Sequence, residues 1–376
     1  MTPHDAQVAR YIMVGGFLGA GKTTAVAQLA RHLTAKGMRV GLISNDQSTG
    51  LVDTTMLRSQ GFSVEEIAGG CFCCRFNSLL EAAEKLTART KPDAFIAEPV
   101  GSCTDLIATV SYPLRRIYGH RFTTAPLSVL VDPARAARIF ELAPGRSFSP
   151  KVVYVYRKQL EEADIIVVNK VDAVDENLRR KLVDALATTF DRANVVCCSA
   201  REGTGLAPWF DRLLKATPRS DPAMDLDYDR YADGEALLGW LNCSIRLSAK
   251  APIDGNTLLV ELAGRIGDRL RQDVLDVAHL KMTLEADPHQ AGLGVVSVVS
   301  LDAAPDVRES LLDDVGAANL IVNLRAEGDP DLLRQVTLES VQACAQARPG
   351  LALTVEHMEH FRPAKPTPTH RVEAVV

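Results

Sequence analysis

Short apolar runs separated by helical spacing fill the first two hundred residues. The runs "YIMVGG" (11–16), "RVGLISND" (39–46), "DAFIAEPVG" (93–101), "LSVLVDP" (127–133), "ADIIVVNK" (163–170) and "NVVCCSA" (194–200) are rich in Val and Ile and lack strict alternation. That pattern belongs to strands buried on both faces of a parallel sheet. Between the first two runs, residues 22–36 place Val26, Leu29, Ala30 and Leu33 on one stripe, and Gly37 follows as a stop. Residues 1–217 therefore predict a wound α/β domain with a mostly parallel sheet.

The periodicity then lapses into Pro, Asp and small residues, which predicts a linker over 218–236. Beyond it, 237–362 predict a smaller α+β domain with an antiparallel sheet. Its expected elements are a strand at 240–249, a helix at 256–273, strands at 276–286, 293–301 and 320–328, a helix at 330–347 and a strand at 351–359. The Pro-rich stretch 363–376 reads as a flexible tail.

Composition removes several classes of function. The 376 residues are 47% hydrophobic and 24% charged, which is ordinary for a globular protein. A net charge of −5 gives no electrostatic case for nucleic acid or an anionic membrane as partner. No apolar run approaches the roughly 20 residues that span a bilayer. The opening "MTPHDAQVARYIMVGG" has no basic start, long apolar stretch or cleavage site, so the eight cysteines read as reduced ligands or redox groups of a cytoplasmic protein.

Chemistry concentrates in four short motifs. "GFLGAGKT" (16–23) fits G-x-x-x-x-G-K-[ST] between a strand and a helix. Gly16, Gly19, Ala20 and Gly21 would turn backbone N–H groups around a phosphate chain. Lys22 would reach the β- and γ-phosphates, Thr23 would ligate Mg²⁺, and Thr24 would touch the α-phosphate at the helix N-terminus. In "NKVD" (169–172), the Asp172 carboxylate would accept from guanine N1 and the 2-amino group, a donor pair that adenine lacks. Asn169 would brace the loop and Lys170 would cover the ring, while the backbone at Ser199 and Ala200 could meet guanine O6. GTP is thus favoured over ATP. Asp46 and Glu98 end adjacent strands facing the crevice: one should hold Mg²⁺ and the other orient the attacking water. Gly101 falls where a γ-phosphate-sensing N–H would sit.

The fourth motif, "GGCFCCRFN" (69–77), puts Cys71, Cys73 and Cys74 ahead of a helix. Three soft ligands suit Zn²⁺, Co²⁺ or another thiophilic metal, and an incomplete site can exchange its metal. The Cys71-x-x-Cys74 spacing keeps a redox role open, and a structural role is the remaining alternative. Cys103, just past "EPVG", is a candidate to complete the site, against simple packing. His357 and His360 form another candidate pair, although solvated histidines fit the pattern better. Core packing is the reading for Cys197 and Cys198.

"GFLGAGKTT", "GGCFCC", "AEPVG" and "NKVD", in this order, resemble the CobW/HypB/UreG family of P-loop GTPases, the CobW-type branch in particular, over roughly 11–215. The resemblance implies GTP hydrolysis coupled to metal delivery or metalloenzyme maturation. It also implies that Lys22, Thr23, Asp46 and Glu98 serve nucleotide and Mg²⁺, that Asn169, Lys170 and Asp172 serve guanine, and that the three cysteines hold the cargo metal. The segment "NDQSTGLVD" differs from the acidic stretch usual for that branch. The leading expectation is a GTP-hydrolysing metallochaperone with a client metalloprotein or cofactor-pathway enzyme, and a nucleotide-dependent homodimer is compatible with such a fold. The alternatives are a GTPase gating a cofactor-dependent enzyme, with structural cysteines, and a small-molecule kinase or ATPase using the same loop.

Overall fold

Each of the six apolar runs becomes a strand of one parallel sheet in the computed structural model, which describes residues 8–45, 52–287 and 292–374. The strands are β1 (Ala9–Gly16), β2 (Val40–Asn45), β3 (Val64–Ile67), β4 (Ala94–Glu98), β5 (Phe122–Thr124), β6 (Ser128–Val131), β7 (Ile165–Val168) and β8 (Asn194–Cys197). They lie in the order β3-β2-β4-β1-β6-β7-β8. The first residues of β1 pair with β5 and the last with β6. Helices α1 (Lys22–Ala35), α2 (Val52–Ser59) and α3 (Phe76–Thr90) follow β1, β2 and β3. The stripe expected on α1 is the buried one, with Leu29, Ala30 and Leu33 packed against Ile12, Leu42 and Ile96 in one apolar core. Because the strands are parallel, their carboxyl ends share one edge, and the loops there form the ligand crevice of such sheets.

β3 and β5 were not expected. β3 carries two glutamates at its centre, and β5 is three residues long, so neither shows an apolar run.

The second sheet is antiparallel throughout, in the order β12-β11-β10-β13-β9-β14. Its strands are β9 (Leu238–Ile253), β10 (Asp276–Ala286), β11 (Leu293–Val298), β12 (Asp306–Glu309), β13 (Val315–Glu327) and β14 (Leu351–Phe361). Helices Gly255–Gln272 and Pro330–Gln346 bring Leu258, Leu262, Ile266, Leu333 and Val336 into one core with Leu280, Met282, Val322 and Leu324. Asp254 and Asp329 cap these helices by accepting first-turn N–H groups, which fixes where each begins.

The chain forms two compact units. The first combines Asp53–Ala232 with the N-terminal segment and the stretch from Lys365 onward, and the second contains Asp233–Ala364. Two features differ from expectation. Part of the presumed linker is a helix, Tyr228–Ala236. The presumed free tail returns to the first unit, where Val372 donates its N–H to the Ala108 carbonyl at 2.9 Å and Arg371 pairs with Asp105 at 2.8 Å. Among the described residues no helix is long and apolar enough to cross a membrane.

Candidate functional site

The phosphate loop is shaped by a residue with no side chain. Gly16 has φ +128°, and a Cβ there would lie 2.4 Å from the Leu130 carbonyl oxygen on neighbouring β6. Any other residue would push the loop off the sheet. Lys22, at the start of α1, reaches back so that its Nζ donates to the Gly16 carbonyl at 2.9 Å. The ammonium therefore lies across the loop it is expected to serve. Thr24 follows in the first turn of α1.

The Thr23 Oγ1 lies 2.6 Å from Asp53 Oδ1 and 3.0 Å from Glu98 Oε1. A hydroxyl has one proton to donate, so a shared cation satisfies this trio better than hydrogen bonding alone. One hydroxyl and two carboxylates are an oxygen donor set of the kind that suits Mg²⁺. Asp53 was not among the expected residues, and Asp46, which was, lies outside the described ones. Gly101 closes the loop after β4 directly against the phosphate loop: a Cβ on it would come 2.6 Å from Leu18 Cδ2.

On the base side, Asn169 directly follows β7 and bridges two loops. Its Nδ2 donates to the Ala20 carbonyl and its Oδ1 accepts from the Ala200 N–H, both at 2.9 Å. Ser199 N–H donates to the Thr204 carbonyl at 3.0 Å. Both N–H groups expected at a guanine oxygen are thus committed within the protein, and Ser199 and Ala200 brace the loop. Lys170 Nζ donates to the Gly19 carbonyl at 2.7 Å and to Asp132 Oδ2 at 2.8 Å. Burial alone would raise the Asp132 carboxyl, but Lys170 and Arg135 beside it outweigh that and hold it at about 2. Arg135 also donates to the Leu18 carbonyl and lies over the rings of Phe17 and Phe148. Asp132 and Arg135 were missed in the sequence, although "VDP" at a strand end is a recognisable cap followed by Pro. Asp172 is exposed, on the one-turn helix Val171–Ala173.

The three cysteines form a cluster. After β3 and the turn at Gly69 and Gly70, Cys74 and Arg75 both donate N–H groups to the Cys71 carbonyl, coiling the segment before α3. The sulfurs lie 2.7 Å (Cys71–Cys73), 3.4 Å (Cys71–Cys74) and 3.7 Å (Cys73–Cys74) apart. In tetrahedral zinc with bonds near 2.3 Å, neighbouring sulfurs are about 3.8 Å apart; the two distances to Cys74 approach that value, and Cys71 and Cys73 would have to separate by about 1 Å to reach it. All eight cysteines are free thiols. Asn45, at the end of β2, ties this loop to the crevice edge by donating to the carbonyls of Ile67 (2.9 Å) and Gly70 (2.7 Å).

The chain beyond Lys365 covers the cluster. Thr367 N–H donates to Cys74 Sγ at 3.2 Å, Thr369 N–H to the Cys73 carbonyl at 2.8 Å, and the Thr369 hydroxyl to the Cys74 carbonyl at 3.2 Å. The His370 ring meets Phe76 edge-on at 5.0 Å. His357 and His360 pair separately with Glu359 and Asp331, so they do not form a shared site.

Thiol donors from Cys103, Cys73 and Cys74 stabilise the Cys71 thiolate and hold its pKa well below the ordinary thiol range. Hydrogen bonding to Cys71 and burial push Cys73 well up, and the bond to Cys71 holds Cys74 at about 11. A metal needs thiolates, so Cys73 and Cys74, whose pKa values are raised, must each surrender a proton they retain at neutral pH, while the lowered pKa of Cys71 makes its thiolate the easiest of the three to form. Affinity is expected to rise with pH by roughly hundredfold per unit through the neutral range, with release of at least two protons. Calorimetry in buffers of different ionisation enthalpy counts those protons, and a pH-independent affinity would contradict the assignment.

A wound parallel sheet with a glycine-rich loop between its first strand and helix, and an N-K-x-D loop after a later strand, defines the class as a P-loop GTPase fold, here with a second antiparallel-sheet unit. The model of the "CobW/HypB/UreG, nucleotide-binding domain" matches residues 10–197, half of the chain, and the chain belongs to that family. The family is one of P-loop GTPases.

Among curated relatives, a zinc chaperone CobW of Sinorhizobium sp is 28% identical over 202 residues, covering 48% of this chain and 56% of that protein. The zinc chaperone YeiR of Escherichia coli (strain K12) is 29% identical over 168 residues, covering 44% and 47%. The chain thus spans about half the length of the curated relatives it matches. Among solved structures, HypB from Helicobacter pylori in complex with nickel aligns at TM-score 0.41 and 20% identity, covering 56% of this chain and 87% of that one. Zn(II)-bound YjiA GTPase from E. coli aligns at TM-score 0.37 and 16% identity, covering 88% and 98%.

Proposed function

We propose that this chain is a GTP-hydrolysing metallochaperone that takes a thiophilic divalent metal, zinc or cobalt, on Cys71, Cys73 and Cys74 and passes it to a client metalloprotein or cofactor-pathway enzyme. The observation that carries this reading is three thiols within 3.7 Å of one another on a loop bonded to the end of β2, beside the nucleotide crevice. The names of the curated relatives agree with it.

Lys22 neutralises the β- and γ-phosphates once it leaves the Gly16 carbonyl. Thr23, Asp53 and Glu98 would hold Mg²⁺, which would supply positive charge to neutralise the phosphates. Asp172 selects guanine, and Asn169 keeps the base loop and phosphate loop in register. Gly101, packed on Leu18, reports occupancy of the γ-phosphate position along the loop after β4. Asn45 provides a second route, from β2 to the cysteine loop.

Coupling between nucleotide and metal must be reciprocal. Titrating the reduced protein with Co²⁺, with and without a non-hydrolysable GTP analogue, reads it through the thiolate-to-cobalt charge-transfer band. The expected result is a band whose midpoint moves about fivefold or more between the two states. A tight band indifferent to nucleotide would make the cluster structural and overturn the proposal.

A further inference from the structure

Each carbonyl of the phosphate loop from Phe17 to Ala20 accepts a hydrogen bond. Ala20 N–H turns back to that of Phe17 at 3.1 Å, and an Arg135 guanidinium N–H donates to that of Leu18. Lys170 Nζ takes that of Gly19 at 2.7 Å, and Asn169 Nδ2 takes that of Ala20 at 2.9 Å. In a trans peptide, the carbonyl of one residue and the N–H of the next point in opposite directions. A carbonyl held on the outside of the loop therefore fixes an N–H on the inside, where successive N–H groups make an anion-binding concavity.

Asn169 and Lys170 belong to the base loop, so their hold on the phosphate loop comes with that motif. Arg135 belongs to none of the four motifs. It sits in the first turn of the helix Pro133–Ile139, where its backbone N–H donates to the capping Asp132 carboxylate at 3.0 Å. Its side chain is enclosed, and the residue is 5% exposed. The guanidinium lies 5.5 Å from the centroid of the Phe17 ring and 5.3 Å from that of Phe148. Phe17 is itself held edge-on against Tyr156 at 5.6 Å. A capped helix and two rings leave the fork little freedom to turn away from Leu18.

We propose that Arg135 is a positioning residue for nucleotide binding, setting the Leu18–Gly19 peptide so that Gly19 N–H faces the phosphate chain of GTP. This rests on the GTPase reading given above. The surrounding charge favours the same role. The Asp132 carboxylate is ion-paired to Lys170 and also faces Arg135, so one anion is shared by two cations and the group keeps net positive charge beside the loop. Gly101 packs against the Leu18 side chain, so this residue is held through its backbone on one side and its side chain on the other. A lysine would keep the charge at position 135 but not the planar fork that stacks between aromatic rings.

The test uses the full chain as wild type, Arg135→Lys and Arg135→Ala, with circular dichroism to confirm folding. Arg135→Ala is expected to raise the KM for GTP by about ten- to hundredfold. Its kcat should stay within about threefold of wild type, because the lost interaction serves ground state and transition state alike. Arg135→Lys should give a KM between the two. A merely structural residue would instead lower kcat through loss of folded protein and leave KM unmoved. A wild-type KM in folded Arg135→Ala, or in Arg135→Lys should the alanine variant not fold, overturns this inference and leaves the GTPase reading standing. Absence of GTP binding and hydrolysis in the wild type overturns both.

Discussion

Replacing Asp172 with asparagine is expected to lower GTP affinity by about three to four orders of magnitude while the fold is retained. The carboxylate would accept from two guanine donors at once. An amide in its place turns one acceptor into a donor and sets it against a guanine N–H or amino group. Xanthine carries an oxygen where guanine has the amino group, so the same variant should gain XTP binding. Asp172 is exposed and sits on its own short turn, so little of the protein depends on it. Displacement of a fluorescent nucleotide by GTP, ATP and XTP measures all three preferences. If the variant keeps wild-type GTP affinity, base selection lies elsewhere.

The double variant Cys73→Ser, Cys74→Ser should lose metal more completely than any single change. Zinc in four-ligand thiolate and imidazole sites binds with roughly 10–16 kcal/mol, or about 3 kcal/mol per ligand, so two ligands correspond to about four orders of magnitude in affinity. Cobalt charge transfer should disappear at accessible concentrations. GTP binding should change little, because neither residue contacts the phosphate loop or the base loops through any hydrogen bond described above. A double variant with an undiminished cobalt band would remove these thiols from the site.

The expected strands and the two principal motifs were legible because each is local. Apolar runs announced every central strand of the first sheet, and the glycine spacing of the phosphate loop announced the turn that Leu130 enforces at Gly16. The parts that failed depend on distant partners. β3 and β12 sit at sheet edges, where half-exposed strands carry Glu and Arg, so no apolar run marks them. Asp53 reaches Thr23 across 30 positions and Lys170 reaches Asp132 across 38, distances over which periodicity carries no information. The Pro-rich stretch after 363 reads as unstructured because its stabilisation comes from carbonyls and a sulfur on another segment, not from a core of its own.

The cover over the cysteines also has a history within each molecule. Thr367 is separated from Cys74 by 293 positions, and the whole antiparallel unit is made in between. At about 5–20 residues per second, a growing chain therefore presents Cys71, Cys73 and Cys74 without their cover for roughly 15–60 s. The phosphate loop, β1 to β3 and the cysteine loop precede that interval and β4 to β8 are completed in its first half, so the site can take its shape while still open. Metal or oxidant arriving during synthesis meets an uncovered thiol cluster, and the same reagent arriving later meets a covered one. On the proposed reading, the order of translation as well as affinity would govern the first ion that a new molecule takes.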